Sequence, residues 1–113
     1  MSGPLPFRVG TRITDGRVVV SVRGEIDLDT GPCLGDALEE ALKAGTPGLE
    51  VDFRQVSFCD CSGLSVLLRT RAAARRAGVN FGVSGVNAPE VQRLLTLTET
   101  APLLLLPWQR AAA

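Results

Sequence analysis

Apolar and polar residues alternate along Phe7, Val9, Thr11 and Ile13, the two-residue period of a half-buried strand. Asp15-Gly16 follows, a dipeptide suited to a hairpin turn. Arg17 to Arg23 resumes the alternation, with Val18, Val20 and Val22 on one face, and Gly24 is expected to end this second strand. Gly24 to Thr30 (GEIDLDT) then reads as a turn carrying three carboxylates. Thr30 is placed to cap a helix that has Pro32 in its first turn and runs to about Ala44. Leu34, Leu38, Ala41 and Leu42 form its apolar stripe, and Asp36, Glu39 and Glu40 its wet face. Gly45 and Pro47 end it.

Leu49, Val51 and Phe53 alternate with Glu50, Asp52 and Arg54 as a third strand, and Val56 and Phe58 are expected under a short connection. From Ser62 the period changes. Leu64, Leu67, Leu68 and Ala72 share one face of a helix that stops at Gly78. Val79, Phe81 and Val83 make a fourth strand. Asn87-Ala-Pro-Glu90 resembles a capping box opening a helix with Val91, Leu94 and Leu95 inward. Pro102 to Leu106 reads as a fifth, fully apolar strand, and Trp108 to Ala113 as a loose tail. Strands alternating with helices predict an α/β domain. It has a mixed, mostly parallel sheet of about five strands, about three to four helices and an N-terminal β-hairpin at the edge. One domain is expected over residues 7–106, with tails at 1–6 and 107–113.

Composition narrows the chemistry. Twelve basic and twelve acidic residues cancel, so the basic surplus of a nucleic-acid binder is missing. Nine acids and two bases lie from Glu25 to Asp60, and six arginines and two acids beyond it. That is either an acidic and a basic side or two ordinary solvated helix faces. The absence of histidine removes His-dependent triads, His-ligated metals and the commonest general base. The N-terminal MSGPLPFRVG has no signal-like apolar core, and the run Pro102–Trp108 is too short to span a bilayer, so a cytoplasmic protein is expected. Three cysteines are no disulfide framework. Cys59 and Cys61, two apart on an extended segment, would point the same way and with Cys33 could approach a metal, but the spacing fits no usual zinc site. Cys33 and Cys59 are better taken as small residues filling space, and no metal or cofactor is expected.

Asp60, Cys61, Ser62 and Gly63 fall where a strand hands over to a helix N-terminus. Free backbone N–H groups and the positive end of the helix dipole accept an added anion there. A hydroxyl in this loop can carry a phosphate without unfolding its own domain. Equally, Asp60 or Ser62 can be a plain N-cap. Functional loops of such sheets lie at the carboxyl ends of strands, so Gly24–Thr30 and Cys59–Gly63 are expected to face one another, with Asp27 beside Ser62. Asp27 itself has two open roles, turn formation or contact with a partner.

Three segments, Gly24–Thr30, Leu49–Gly78 and Pro89–Leu95, together resemble the STAS domain, and within it the bacterial anti-sigma factor antagonists. The resemblance covers roughly residues 7 to 106. It implies a non-enzymatic binding module that engages an anti-sigma factor, commonly a serine kinase of the histidine-kinase-like ATPase fold, and thereby releases a sigma factor. The kinase phosphorylates a loop serine to break the complex, and a phosphatase resets it. Asp27, Asp60, Cys61, Ser62, Gly63 and Leu64 would form the contact surface, with Gly63 allowing close approach and Leu64 partly in the core. The partners implied include no nucleic acid and no membrane, and the protein would be a monomer or a weak homodimer.

The chain departs from that pattern at one position. The family's phosphoacceptor directly follows the aspartate, and here that residue is Cys61. Three outcomes stay open: binding without phospho-control, transfer of the acceptor role to Ser62, or a reactive thiol at Cys61. The last would make the protein a redox sensor. A further alternative is a STAS scaffold or sensor module in a larger signalling assembly. Arg69, Arg71, Arg75 and Arg76 are expected to face solvent, or to meet an acidic partner helix.

Overall fold

In the computed structural model, which describes residues 6–106, strands β1 (Arg8–Thr14) and β2 (Arg17–Ile26) form the expected antiparallel hairpin. Asp15 (φ 50°) and Gly16 (φ 76°) both take positive φ, the pair of conformations a two-residue hairpin turn needs. β3 (Gly48–Cys59) runs parallel to β2, and β4 (Asn80–Ser84) parallel to β3, giving the order β1-β2-β3-β4. The helices are α1 (Gly31–Leu42), α2 (Cys61–Ala77), α3 (Pro89–Leu97) and the single turn α4 (Ala101–Leu104).

Two expectations about strand ends are corrected. β2 does not stop at Gly24 but continues to Ile26, with Gly24 at φ 103° beside a register shift. Val56 and Phe58 do not lie under a connection. They belong to β3, whose twelve residues pair with the ten of β2 across two bulges. Each bulge inserts one residue, so the inward positions run Leu49, Val51, Phe53, then Val56, then Cys59. A strict two-residue alternation cannot follow that sequence of faces.

Val18, Val20 and Val22, the β3 residues just named, Val83 and Ile26 build the sheet's share of one core. Leu34, Leu38 and Ala41 of α1 cover it, with Leu64, Val66 and Leu67 of α2 and Val91 and Leu95 of α3. On α2 the far inward position is Ala74, not Ala72, which is exposed, and Leu68 is half-buried. The expected caps also differ. Thr30 makes no side-chain cap on α1, and α3 starts at Ala88 without a capping box from Asn87 or Glu90.

Pro102–Leu106 is not a fifth strand. Pro102 lies in the first turn of α4, and only Leu105 forms an isolated parallel bridge to Val83, supported by Leu106 N–H donating to the Val83 carbonyl at 3.1 Å. Among the described residues the sheet therefore has four strands rather than about five. Except for exposed Pro6, the tails expected at 1–6 and 107–113, Trp108 included, lie outside the described residues. Among the described residues no helix is long and apolar enough to cross a membrane.

Where α1 meets α2, a Cβ added at Gly35 would touch only Val66 Cγ1, at an ordinary 3.7 Å. Glycine inside a helix costs backbone entropy, so Gly35→Ala is expected to stabilise the protein by about 0.5–1 kcal/mol. A urea unfolding curve checks this, and a lowered midpoint would contradict the spacing between the two helices.

Candidate functional site

The loops that follow β2 and β3 lie side by side, joined by the Asp60 N–H donating to the Ile26 carbonyl at 3.1 Å. Asp60 is the N-cap of α2. Its backbone is extended, and its Oδ1 accepts from the N–H groups of Ser62 (2.8 Å) and Gly63 (3.3 Å). Of the roles left open for this loop, capping is filled by Asp60 and not by Ser62. Cys61 is the exposed first residue of the helix, and Ser62 behind it is half-buried.

Gly63 is buried, and the close approach it permits is to its own domain. A Cβ there would come within 2.6 Å of both Cys59 Sγ and Ile26 Cγ2. The glycine lets α2 start directly over the ends of β2 and β3, which fixes where Cys61 and Ser62 emerge. Leu64, 6% exposed, belongs to the core, so its side chain presents little to a partner.

Asp27 directs its carboxylate into its own turn. Oδ1 accepts from Asp29 N–H (2.9 Å), Thr30 N–H (3.0 Å) and the Thr30 hydroxyl (3.2 Å). The Thr30 N–H bond leads in holding the carboxyl below its usual range, against the opposing effect of partial desolvation, with Asp29 N–H adding to it. Among the described residues no hydrogen bond joins Asp27 to Ser62. The turn instead pushes Leu28 outward, 76% exposed at the head of a groove between α1 and α2. This groove, of about 580 Å³, has Ser62 and Val66 along its α2 wall, Asp36 and Glu39 on α1, and Arg69 opposite them. Sequence patterning missed both Leu28 and the groove. The available signal was a lone leucine between two aspartates, in a turn that otherwise has no use for an apolar side chain.

The cysteines do not converge. Cys59 is buried at the end of β3, Cys61 is exposed at the start of α2, and Cys33 is exposed on α1, so it fills no interior space. The chain turns from strand to helix between Cys59 and Cys61, which removes the extended geometry that would have aligned them. Among the described residues no three potential metal ligands cluster. Burial, reinforced by Asp60 and Cys61, pushes the Cys59 thiol up to about 12. It therefore stays protonated at neutral pH. A thiol reagent applied to the native protein near pH 8 is expected to consume Cys33 and Cys61 well before Cys59, which needs unfolding to react. Equal rates at all three thiols would contradict the burial of Cys59.

The family model described as "Mlab, STAS domain" matches residues 9–106. The anti-sigma-F factor antagonist RsfB of Mycobacterium tuberculosis is 34% identical over 83 residues, 74% of this chain and 67% of that protein. The anti-sigma-B factor antagonist of Staphylococcus epidermidis is 31% identical over 85 residues, 75% of this chain and 78% of its own. Among solved structures, an anti-sigma factor antagonist from Mycobacterium paratuberculosis superposes with a TM-score of 0.83 at 31% identity, covering 95% of this chain and 91% of that one. The mixed sheet with its helices, the capped loop before α2 and these likenesses lead to one assignment: the chain belongs to the STAS domain family.

Proposed function

We propose that this protein is a non-enzymatic anti-sigma factor antagonist, which binds a cognate anti-sigma factor and so frees a sigma factor for transcription. The observation that carries this is the pair of adjoining loops at the carboxyl ends of β2 and β3, held by the Asp27 turn and the Asp60 cap, in a chain whose relatives bear that name. The contact surface comprises the Asp27 turn with Leu28, the cap at Asp60, and Cys61 and Ser62 beside it. Gly63 and Leu64 support it from beneath. The partner is a serine kinase of the histidine-kinase-like ATPase fold, and the encounter takes place in the cytoplasm with a monomer or a weak homodimer.

Cys61 sets how the complex is controlled. A thiol at the acceptor position leaves the kinase no hydroxyl to modify, so the antagonist stays competent while bound and a resetting phosphatase has nothing to remove. Ser62 is a poorer acceptor than an exposed side chain, being half-buried and tied through its N–H to the Asp60 carboxylate. A dianion at either position would sit close to Asp60 and weaken docking by like-charge repulsion.

The test is affinity capture from the native host with the full chain as bait, followed by reconstitution of the recovered kinase with ATP. Wild type is expected to bind and take no phosphate, while Cys61→Ser takes stoichiometric phosphate at position 61 and loses the partner. Phosphate on Ser62 of wild type would replace the unswitched antagonist with one whose acceptor has moved. Failure to recover any anti-sigma factor would sink the role.

A further inference from the structure

Among the described residues, the sheet face turned away from α1 and α2 carries charge that no ion pair neutralises. Glu50 is held by Arg17 Nε at 2.9 Å and by the Ser84 hydroxyl, which donates at 2.6 Å. Asp52 is held by Arg54 at 2.8 Å, and Arg12 gives its hydrogen bond to Ser21 Oγ at 3.2 Å. Arg8 and Arg23 are left. They are register partners across β1 and β2, so two guanidinium groups start from directly opposite positions. Like charges placed this way destabilise a sheet. Among the described residues neither has an ion pair, although the exposed Glu25 lies two residues beyond Arg23. The Nε of Arg23 is moreover buried with no hydrogen-bond partner. A buried donor left unmatched costs free energy in any fold.

These groups share one concavity. A groove of about 310 Å³ is lined by Arg8, Gly10, Ser21, Val22, Arg23 and Gln55. Its opening passes over Gly10, where an added Cβ would meet nothing within 4 Å. Gln55 is the β3 register partner of Arg23 and brings an amide to the same place. Two guanidinium forks, an amide and a hydroxyl beside an open glycine suit an oxyanion with several acceptor oxygens.

We propose that Arg8, Arg23 and Gln55 bind the phosphate group of a small molecule, either the free ion or the phosphoryl end of a metabolite. Such a dianion would accept hydrogen bonds from both guanidinium groups and so remove the repulsion between the two arginines. This site does not depend on the antagonist role, and its test does not require an anti-sigma factor.

The experiment is an NMR titration of the full chain with sodium phosphate, against sodium chloride at matched ionic strength, following the arginine Nε–H signals. Saturable shifts at Arg8 and Arg23 in phosphate alone are expected. Arg23→Gln should weaken binding about tenfold or more, whereas Arg75→Gln, which removes the same charge from the far end of α2, should change it less than about twofold. In phosphate-free buffer Arg23→Gln should also raise the melting temperature, because one of two opposed charges is gone. If that variant does not fold, Arg8→Gln carries the same two expectations. Tighter binding of glucose 6-phosphate than of free phosphate would assign the metabolite, and equal or weaker binding the free ion. The proposal is overturned by shifts that do not saturate, by the same shifts in chloride, by equal losses in Arg75→Gln, or by a glutamate-rich peptide binding more tightly than phosphate.

Discussion

Gly63→Val is expected to destabilise the fold by about 3 kcal/mol or more, and to do so before any partner is present. The first atom added already lies 2.6 Å from Cys59 Sγ and from Ile26 Cγ2, and both belong to residues buried in the core. Valine is a somewhat better helix former than glycine, but that gain is about 0.4 kcal/mol and does not offset the overlap. Relief requires α2 to lift off the sheet, which would loosen the Asp60 cap and move Cys61 and Ser62. Urea unfolding of the isolated protein decides the matter. A midpoint equal to wild type, with only partner binding lost, would return Gly63 to the partner-facing role the sequence suggested.

Phe53→Ala should cost about 3–5 kcal/mol, a large part of the roughly 5–15 kcal/mol that stabilises a domain of this size. Phe53 is 1% exposed in β3, at the point where the first bulge interrupts pairing with β2. Its ring is packed in the core beside that bulge, so truncation leaves a cavity there. Phe58, in the same strand but only half-buried, gives the internal comparison, and Phe58→Ala should cost clearly less. Losses of equal size at the two positions would mean that the bulges do not set the inward face as described.

How far the sequence could be followed depends on which residues are asked. The hairpin, α1, α2 and β4 came through because one period governed each and a breaker stood at its end, as Asp15-Gly16 and Gly78 do. For β3 the alternation is legible only to Phe53. Its inward face moves from odd to even positions and back, and no fixed period carries that information. The run at Pro102–Leu106 is ambiguous in sequence, because an unbroken apolar segment fits a buried strand or a buried turn of helix equally well. Contact with β4 through Leu105 and Leu106 decides it, and that contact is long-range. At the site, the handover from strand to helix was legible at Asp60, as was the carboxylate turn at Asp27. The inward direction of the Asp27 carboxylate was not, because it depends on the N–H groups of Asp29 and Thr30 closing around it. The exposure of Leu28 follows from the same turn.

The bridge from Leu105 to Val83 has a consequence for self-association. With that segment laid along β4, the long unguarded border of the sheet among the described residues is β1. Any second copy adding there as an antiparallel strand about Gly10 would set Arg8 against Arg12 of that copy, twice over. Such a border discourages fibre-like stacking, much as like poles keep two magnets from meeting edge to edge.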